Sequence, residues 1–235
     1  MQTVHSSKQY DDDLETIRSK VLLMGGLVEN QLRDAMSCFR SGNEALADQV
    51  IATDDNVNQL EIELDDACSH LIVKRQPAAN DLRTVMATIK AITDLERIGD
   101  ESAKIARISK TLHERGLIGE LKHFETVRVI AQQAADLLHD SLDAFARLDK
   151  DQAIRLIGLD RLVDHEFRSI IRNVITFMME DPRTISVALD TLWVAKAIER
   201  IGDHAKNIAE YVVYVVEGKD IRHSDYVSTI LDKTP

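Results

Sequence analysis

The chain has 235 residues, long enough to bury a sizeable core as one large domain or two small ones. Aromatic residues make up 4% and charged residues 29%, with three prolines and nine glycines, a composition that points away from a β-sandwich and toward long helices packed on helices. A formal net charge of -11 argues against nucleic acid as a partner and against docking on an anionic membrane by charge alone.

Apolar spacing and local breakers predict helices at about 8–41, 43–75, 78–115, 120–148, 150–180 and 183–217, then a polar tail over 219–235. Ser41-Gly42-Asn43 ends the first helix and sets Asn43 to cap the second. After Pro77, Leu82, Val85, Ile89, Ile92, Gly99, Ala103 and Ala106 recur at three and four residues, one face of a third helix. Gly116 to Gly119 reads as a link, which separates a unit at 1–117 from one at 118–218. Asp181-Pro182 sits where the sixth helix begins, as Gln76-Pro77 does for the third. With short turns, consecutive helices of about 45 Å run antiparallel, giving two elongated three-helix bundles, side by side or end to end.

No charged-then-apolar leader opens the sequence, and no apolar run approaches the ~20 residues of a spanning helix, so a cytoplasmic location is expected. Tyr211 to Val216 is the longest apolar stretch, suited to core or to a dimer contact. Cys38 and Cys68 lie in apolar surroundings and imply buried, reduced thiols rather than a disulfide framework.

The two units are copies. A shift of 106 residues places Leu32 on Leu138, Phe39 on Phe145, Ile51 on Ile157, Asp54 on Asp160 and Val57 on Val163. A shift of 103 places Glu96-Arg97-Ile98-Gly99-Asp100 on Glu199-Arg200-Ile201-Gly202-Asp203. The slip between the two registers falls at the loops.

At 100° per residue Glu96 lies roughly 40° from Ile92 at the centre of the apolar face, and Asp100 roughly 80°. Both carboxylates share one flank, with Glu96 leaning inward, and Glu199 and Asp203 inherit the geometry. A half-buried acid needs a partner. Glycine inside a helix costs about 1 kcal/mol relative to alanine, so Gly99 and Gly202 suggest close approach of a neighbouring helix or a ligand.

Two readings remain open. One is a carboxylate metal site in which Glu61 and Asp65, or Asp160 and Asp164, join Glu96 and Asp100, or Glu199 and Asp203. Oxygen donors suit Mg, Ca or Mn, with Zn or Fe also possible. The other is an ion-pair network, with Arg97 and Arg200 reaching acids on adjacent helices. His204 is expected to be solvated, or an outer ligand at most. Glu-x-x-His does not recur on two helices as di-iron carboxylate bundles require, and no phosphate loop or nucleophile motif is present, which argues against an enzyme.

Leu95-Glu-Arg-Ile-Gly-Asp100 and Ile198-Glu-Arg-Ile-Gly-Asp203, with Met24-Gly-Gly-Leu-Val-Glu29, Lys74-Arg-Gln-Pro77 and Met178-Met-Glu-Asp181, resemble the PhoU family of phosphate-signalling regulators over about 8–223. The resemblance implies mirrored bundles, often a homodimer, and a cytosolic negative regulator of the bacterial phosphate-starvation response. Its implied partners are a sensor histidine kinase and the ATPase subunit of a high-affinity phosphate ABC importer, which also supply its membrane association. Family members in some cases bind multinuclear metal clusters through acids placed like Glu96, Asp100, Glu199 and Asp203. One departure is visible: the repeat puts Phe167 and Ile171 where the first copy has Glu61 and Asp65, so Asp160 and Asp164 would serve the second site. A metal-dependent enzyme or a metal-storing bundle using the same carboxylates is the alternative.

Overall fold

The computed structural model describes residues 8–117 and 124–221. The described residues form six α-helices: α1 (Lys8–Ser41), α2 (Glu44–Arg75), α3 (Ala79–Glu114), α4 (Phe124–Arg147), α5 (Lys150–Glu180) and α6 (Ile185–Glu217). Among the described residues there is no strand. The expected start of α4 at 120, the end of the Gly116–Gly119 link and the tail from 222 lie outside the described residues.

Local chemistry sets the breaks. Gly42 turns the chain at φ 67, and the Asn43 side chain accepts the Leu46 N–H at 3.1 Å to cap α2. Gln76 closes α2 in the left-handed region and donates its N–H to Ile72, with Pro77 preventing continuation. Asp149 caps α5 by accepting from Gln152 N–H at 2.9 Å. The sixth helix begins later than expected. Asp181 accepts the Arg183 N–H, and Pro182–Thr184 forms a 3-10 turn before α6 starts at Ile185.

Val85, Ile92, Gly99, Ala103 and Ala106 are buried, as the three-and-four spacing requires; Leu82 is instead exposed at the start of α3. Tyr211, Val212 and Val213 are core, and only Val216 of that segment is exposed, so the stretch offered as a dimer contact serves mainly to fill the interior. Each such fully buried aliphatic side chain contributes ~1.5–3 kcal/mol relative to exposure. Cys38 and Cys68 are free and buried, and burial pushes their thiols up to about 11 and about 12, well away from reactive thiolates.

The bundles lie side by side, each consisting of three consecutive helices. α3 and α6 run antiparallel along the main seam. Asp94 on α3 accepts from His204 at 2.7 Å, Asn207 at 3.1 Å and Tyr211 at 2.7 Å on α6. Glu101 pairs with Arg200, and Arg115 donates to Ser186 at 3.1 Å and Asp190 at 3.4 Å. α1 and α4 form a second seam, with Gly25 against Leu142 and Glu29 bonded to His139 at 2.9 Å. Shifting either seam by the repeat maps it onto itself, so the copies face each other about a pseudo-two-fold axis.

Candidate functional site

In the first copy, α1 and α2 press polar side chains onto α3 at Gly99. A Cβ there would stand 3.2 Å from Asp54 Oδ1, 3.2 Å from Gln31 Oε1 and 3.3 Å from Val57 Cγ1. That is the close approach the helical glycine suggested. Gln31 is 2% exposed and donates to Val50 O and Asp54 Oδ1, both at 3.2 Å, which leaves its own carbonyl oxygen with no hydrogen-bond partner.

The acids around it are short of positive charge. The Glu96 side chain is 13% exposed, and its Oε2 lies 3.3 Å from Arg97 Nε but out of hydrogen-bond alignment. Arg107 approaches Asp54 only to 3.9 Å. Burial, and then the neighbouring Asp100, hold the Glu96 carboxyl above the usual range. Glu61 is raised by burial and then by Asp65. Asp54 is raised by burial, against the lowering effect of its Gln31 hydrogen bond. Asn58 Oδ1 and Asp65 Oδ1 are also buried without a partner. Gln31, Asn58, Asp65 and Glu96 thus each carry a buried carbonyl or carboxylate oxygen without a donor.

The second copy solves the same problem with lysine. Asp160, the repeat equivalent of Asp54, is buried and accepts Lys206 Nζ at 2.8 Å. Burial lowers the Lys206 ammonium, but the hydrogen bond and charge of Asp160 hold it above its ordinary value. Lys196 binds Glu199 and lies 5.4 Å from the centre of the Phe167 ring. By the repeat, Lys206 stands where the first copy has Ala103, and Lys196 where it has Thr93. Asp203 is still pushed up to about 6, by burial first and then by Glu199 and Asp160. Around Gly202 the packing is looser, with Val163 Cγ1 at 3.3 Å and Asp160 Oδ1 at 3.7 Å from a would-be Cβ.

The structure thus brings Glu96, Asp100, Glu61 and Asp54 into one electrostatic group, and Glu199, Asp203, Asp160 and Asp164 into another. Asp65 sits at the edge of the first, acting on Glu61. Phe167 occupies the Glu61 position and packs against the core, as the repeat foretold. Asp54, Gln31 and Asn58 were missed as site residues. The 106-residue register already paired Asp54 with Asp160 and Asn58 with Asp164; Gln31 has no such signal.

Two expectations need correction. Arg200 does reach an acid on a neighbouring helix, Glu101, but Arg97 turns back along its own helix to Glu96 and Asp100, each at 3.3 Å. His204 is not solvated. It is held at the α3–α6 seam by Asp94, because docking of the other bundle covers the flank that an isolated helix would leave wet.

The donor chemistry of the first group, all oxygen and electron-rich, suits a hard cation. As the side chains stand, among the described residues no three His, Cys, Asp or Glu groups lie close enough together to hold an ion.

Two three-helix units joined along antiparallel seams, each presenting the same Glu-Arg-Ile-Gly-Asp segment to a buried aspartate, define a class of duplicated helical-bundle proteins. The PhoU domain family matches the chain twice, over residues 21–109 and 127–212. The phosphate-specific transport system accessory protein PhoU homolog of Pseudomonas aeruginosa is 45% identical over 221 residues, covering 94% of this chain and 90% of that one. The accessory protein PhoU of Escherichia coli is 45% identical over 219 residues, covering 93% and 90%. Among solved structures, PhoU from Pseudomonas aeruginosa superposes with a TM-score of 0.86 at 44% identity, covering 89% of this chain and all of that one. The phosphate transport system regulatory protein PhoU from Streptococcus pneumoniae gives 0.79 at 26% identity, covering 90% and 98%. The chain belongs to the PhoU family.

Proposed function

We propose that the protein is an accessory regulator of phosphate transport that works by contact, holding the phosphate-starvation response down when phosphate is plentiful. Its partners on this reading are the ATPase subunit of a phosphate importer and a sensor histidine kinase, and it acts from the cytoplasm as a homodimer. The near full-length match to relatives named as transport accessory proteins supports the role. Among the described residues no helix is long and apolar enough to cross a membrane, so a membrane partner would be reached through binding.

Docking surface is available in both copies. Val73 and Met179 are repeat equivalents, 75% and 79% exposed. Leu82 and Met86 are exposed in α3, and so are their equivalents Ile185 and Leu189 in α6, one turn from the exposed Trp193. Trp is enriched among the residues that carry binding energy, and Met is enriched at interfaces generally.

The observation that carries the metal part of this reading is the set of partnerless oxygens around Gly99, including the fully enclosed Gln31 carbonyl. Glu96, Glu61 and Asp54, with the amide oxygens of Gln31 and Asn58, are the residues that would hold a divalent cation. The ion would supply the positive charge that Lys206 and Lys196 supply in the other half. It follows that the first copy takes the cation and the second depends on it far less.

Millimolar Mg²⁺ or Mn²⁺ should raise the melting temperature at pH 7 by several degrees, since a ligand at 100 times its Kd stabilises by ~2.7 kcal/mol. The shift should vanish in Glu96→Gln/Glu61→Gln and persist in Glu199→Gln. In a bacterium lacking its own PhoU, this chain should restore repression by phosphate, and a pull-down should retain the importer ATPase or the kinase. Failure of both would remove the regulatory reading, whatever the metal result.

A further inference from the structure

The α1–α4 seam treats its two ends differently. The repeat sets Gly25 and Leu142 at one end against their equivalents, Ala131 and Met36, at the other. At the first end a Cβ on Gly25 would stand 2.8 Å from Leu142 Cδ1, so the helices touch. At the other, Met36 and Ala131 line a groove of about 290 Å³. Duplication has left one end closed and opened its twin.

The open end gathers three basic side chains beside two acids, Glu29 and Asp136. Arg33 from α1 and Arg128 and His139 from α4 all face the groove. Arg33 and His139 are themselves repeat equivalents, brought to one groove because α1 and α4 run antiparallel. Their present partners come from within the protein. His139 Nδ1 meets Glu29 Oε1 at 2.9 Å, Arg128 donates to Glu125 at 2.8 Å, and Arg33 donates to the Asn30 side chain. Asp136 also lines the groove and is held by Gln132 at 2.8 Å. The hydrogen bond that His139 donates to Glu29 keeps the imidazole above its ordinary range.

We propose that this groove binds a small phosphoryl compound, its oxyanion taken by Arg33, Arg128 and His139 in exchange for the Glu29 and Glu125 carboxylates. Guanidinium groups meet phosphoryl oxygens in a two-pronged geometry that carboxylates also satisfy, so an incoming phosphoryl group replaces like with like. Leu32, Ala131 and Ala135 give the floor an apolar stretch beside the cations. The volume sits near the lower end of the ~300–1,000 Å³ typical of small-molecule sites, which suits free phosphate with room to spare or a nucleoside monophosphate. Because Glu29–His139 bridges the two bundles, binding exchanges a contact between copies for one to ligand. The proposal does not depend on the acid clusters around Gly99 and Gly202.

The test is calorimetry on the full chain at fixed ionic strength, with inorganic phosphate and with adenosine monophosphate. At least one should bind saturably at one site per chain. Arg33→Gln/Arg128→Gln should weaken that binding tenfold or more, and Arg172→Gln, an exposed arginine on α5, should leave it unchanged. Circular dichroism confirms folding of the double variant, and His139→Gln gives an independent second loss. Equal affinity for both compounds, with Ala135→Leu harmless, assigns free phosphate. Tighter adenosine monophosphate, weakened by Ala135→Leu, assigns a ligand with a body. No saturable heat from either compound, or binding indifferent to both the double variant and His139→Gln, overturns the proposal.

Discussion

The acid clusters of the two copies descend from one arrangement and differ most in the positive charge set beside them. Around Gly202, Lys206 and Lys196 provide positive charge from within the fold. Around Gly99 the same positions are Ala103 and Thr93, and buried oxygens of Gln31, Asn58, Asp65 and Glu96 go without a hydrogen-bond partner. A carboxylate withdrawn from water must be neutralised by a tethered cation, a free cation or a proton. The tethered solution is permanent, whereas the other two depend on conditions. On the reading proposed above, one half of the molecule is constant and the other responds.

The largest effect should come from taking the constant half's lysine away. Lys206→Met keeps much of the shape but leaves Asp160, 4% exposed, with its charge uncompensated. Breaking such a pair from one side costs about 3 kcal/mol. If the comparison is right, the variant should also acquire what the wild-type second copy lacks, a stabilisation by Mg²⁺ or Mn²⁺ that adds to that of the first copy. Denaturant titrations with and without the ion measure both. A loss below about 1 kcal/mol, with no new ion dependence, would mean that Lys206 is not the counter-charge.

The glycines give a smaller and more local contrast. Alanine is favoured over glycine inside a helix by about 1 kcal/mol, so either substitution gains that much before packing is considered. At Gly99 the added methyl meets two oxygens at 3.2 Å, one belonging to Gln31, whose shift would strain its hydrogen bonds to Val50 and Asp54. Gly99→Ala should therefore lose about 1–2 kcal/mol net and blunt the ion response. At Gly202 only Val163 Cγ1 is tight, at 3.3 Å, and a small rotation relieves it. Gly202→Ala should be neutral or slightly stabilising. Equal losses at the two sites would show that the tighter oxygen packing around Gly99 has no energetic weight.

Much of this contrast could be read in the sequence, and the part that could not has a physical reason. Helix ends fell within a few residues of expectation because Gly42, Asn43, Gln76 and Asp149 act on backbone groups one turn away. The acids Glu96, Asp100, Glu199 and Asp203 showed themselves through helical phase and repetition. Asp54 was equally legible, since the register already set it on Asp160. Gln31 and His204 were not. Gln31 matters because α1 happens to cross α3 at Gly99, and His204 because a second bundle docks on its flank through Asp94. Both depend on the packing of helices distant in sequence, which periodicity along one helix does not encode.

The smallest effect sharpens the comparison from the other side, by asking whether the lysines fully cover their cluster. Asp203 remains raised, to about 6, so the answer should be no. A folded-state value above the unfolded 3.8 means that the native protein keeps a proton which the unfolded chain loses. This group's contribution is fully present below pH ~4 and is lost as pH rises through about 6. Asp203→Asn removes the titration while keeping the shape. The variant should match the wild type near pH 4 and exceed it at pH 7 by about 1 kcal/mol, less than the full shift implies because the side chain is partly solvated. Melting curves at half-unit steps from pH 4 to 7.5 trace the gap. A gap that opens between pH 4 and 6 places an uncompensated acid in the constant half, so that its two lysines neutralise Asp160 and Glu199 and stop there. A gap that stays flat across the range means the lysines already cover Asp203, and the contrast with the first copy is then wider than drawn.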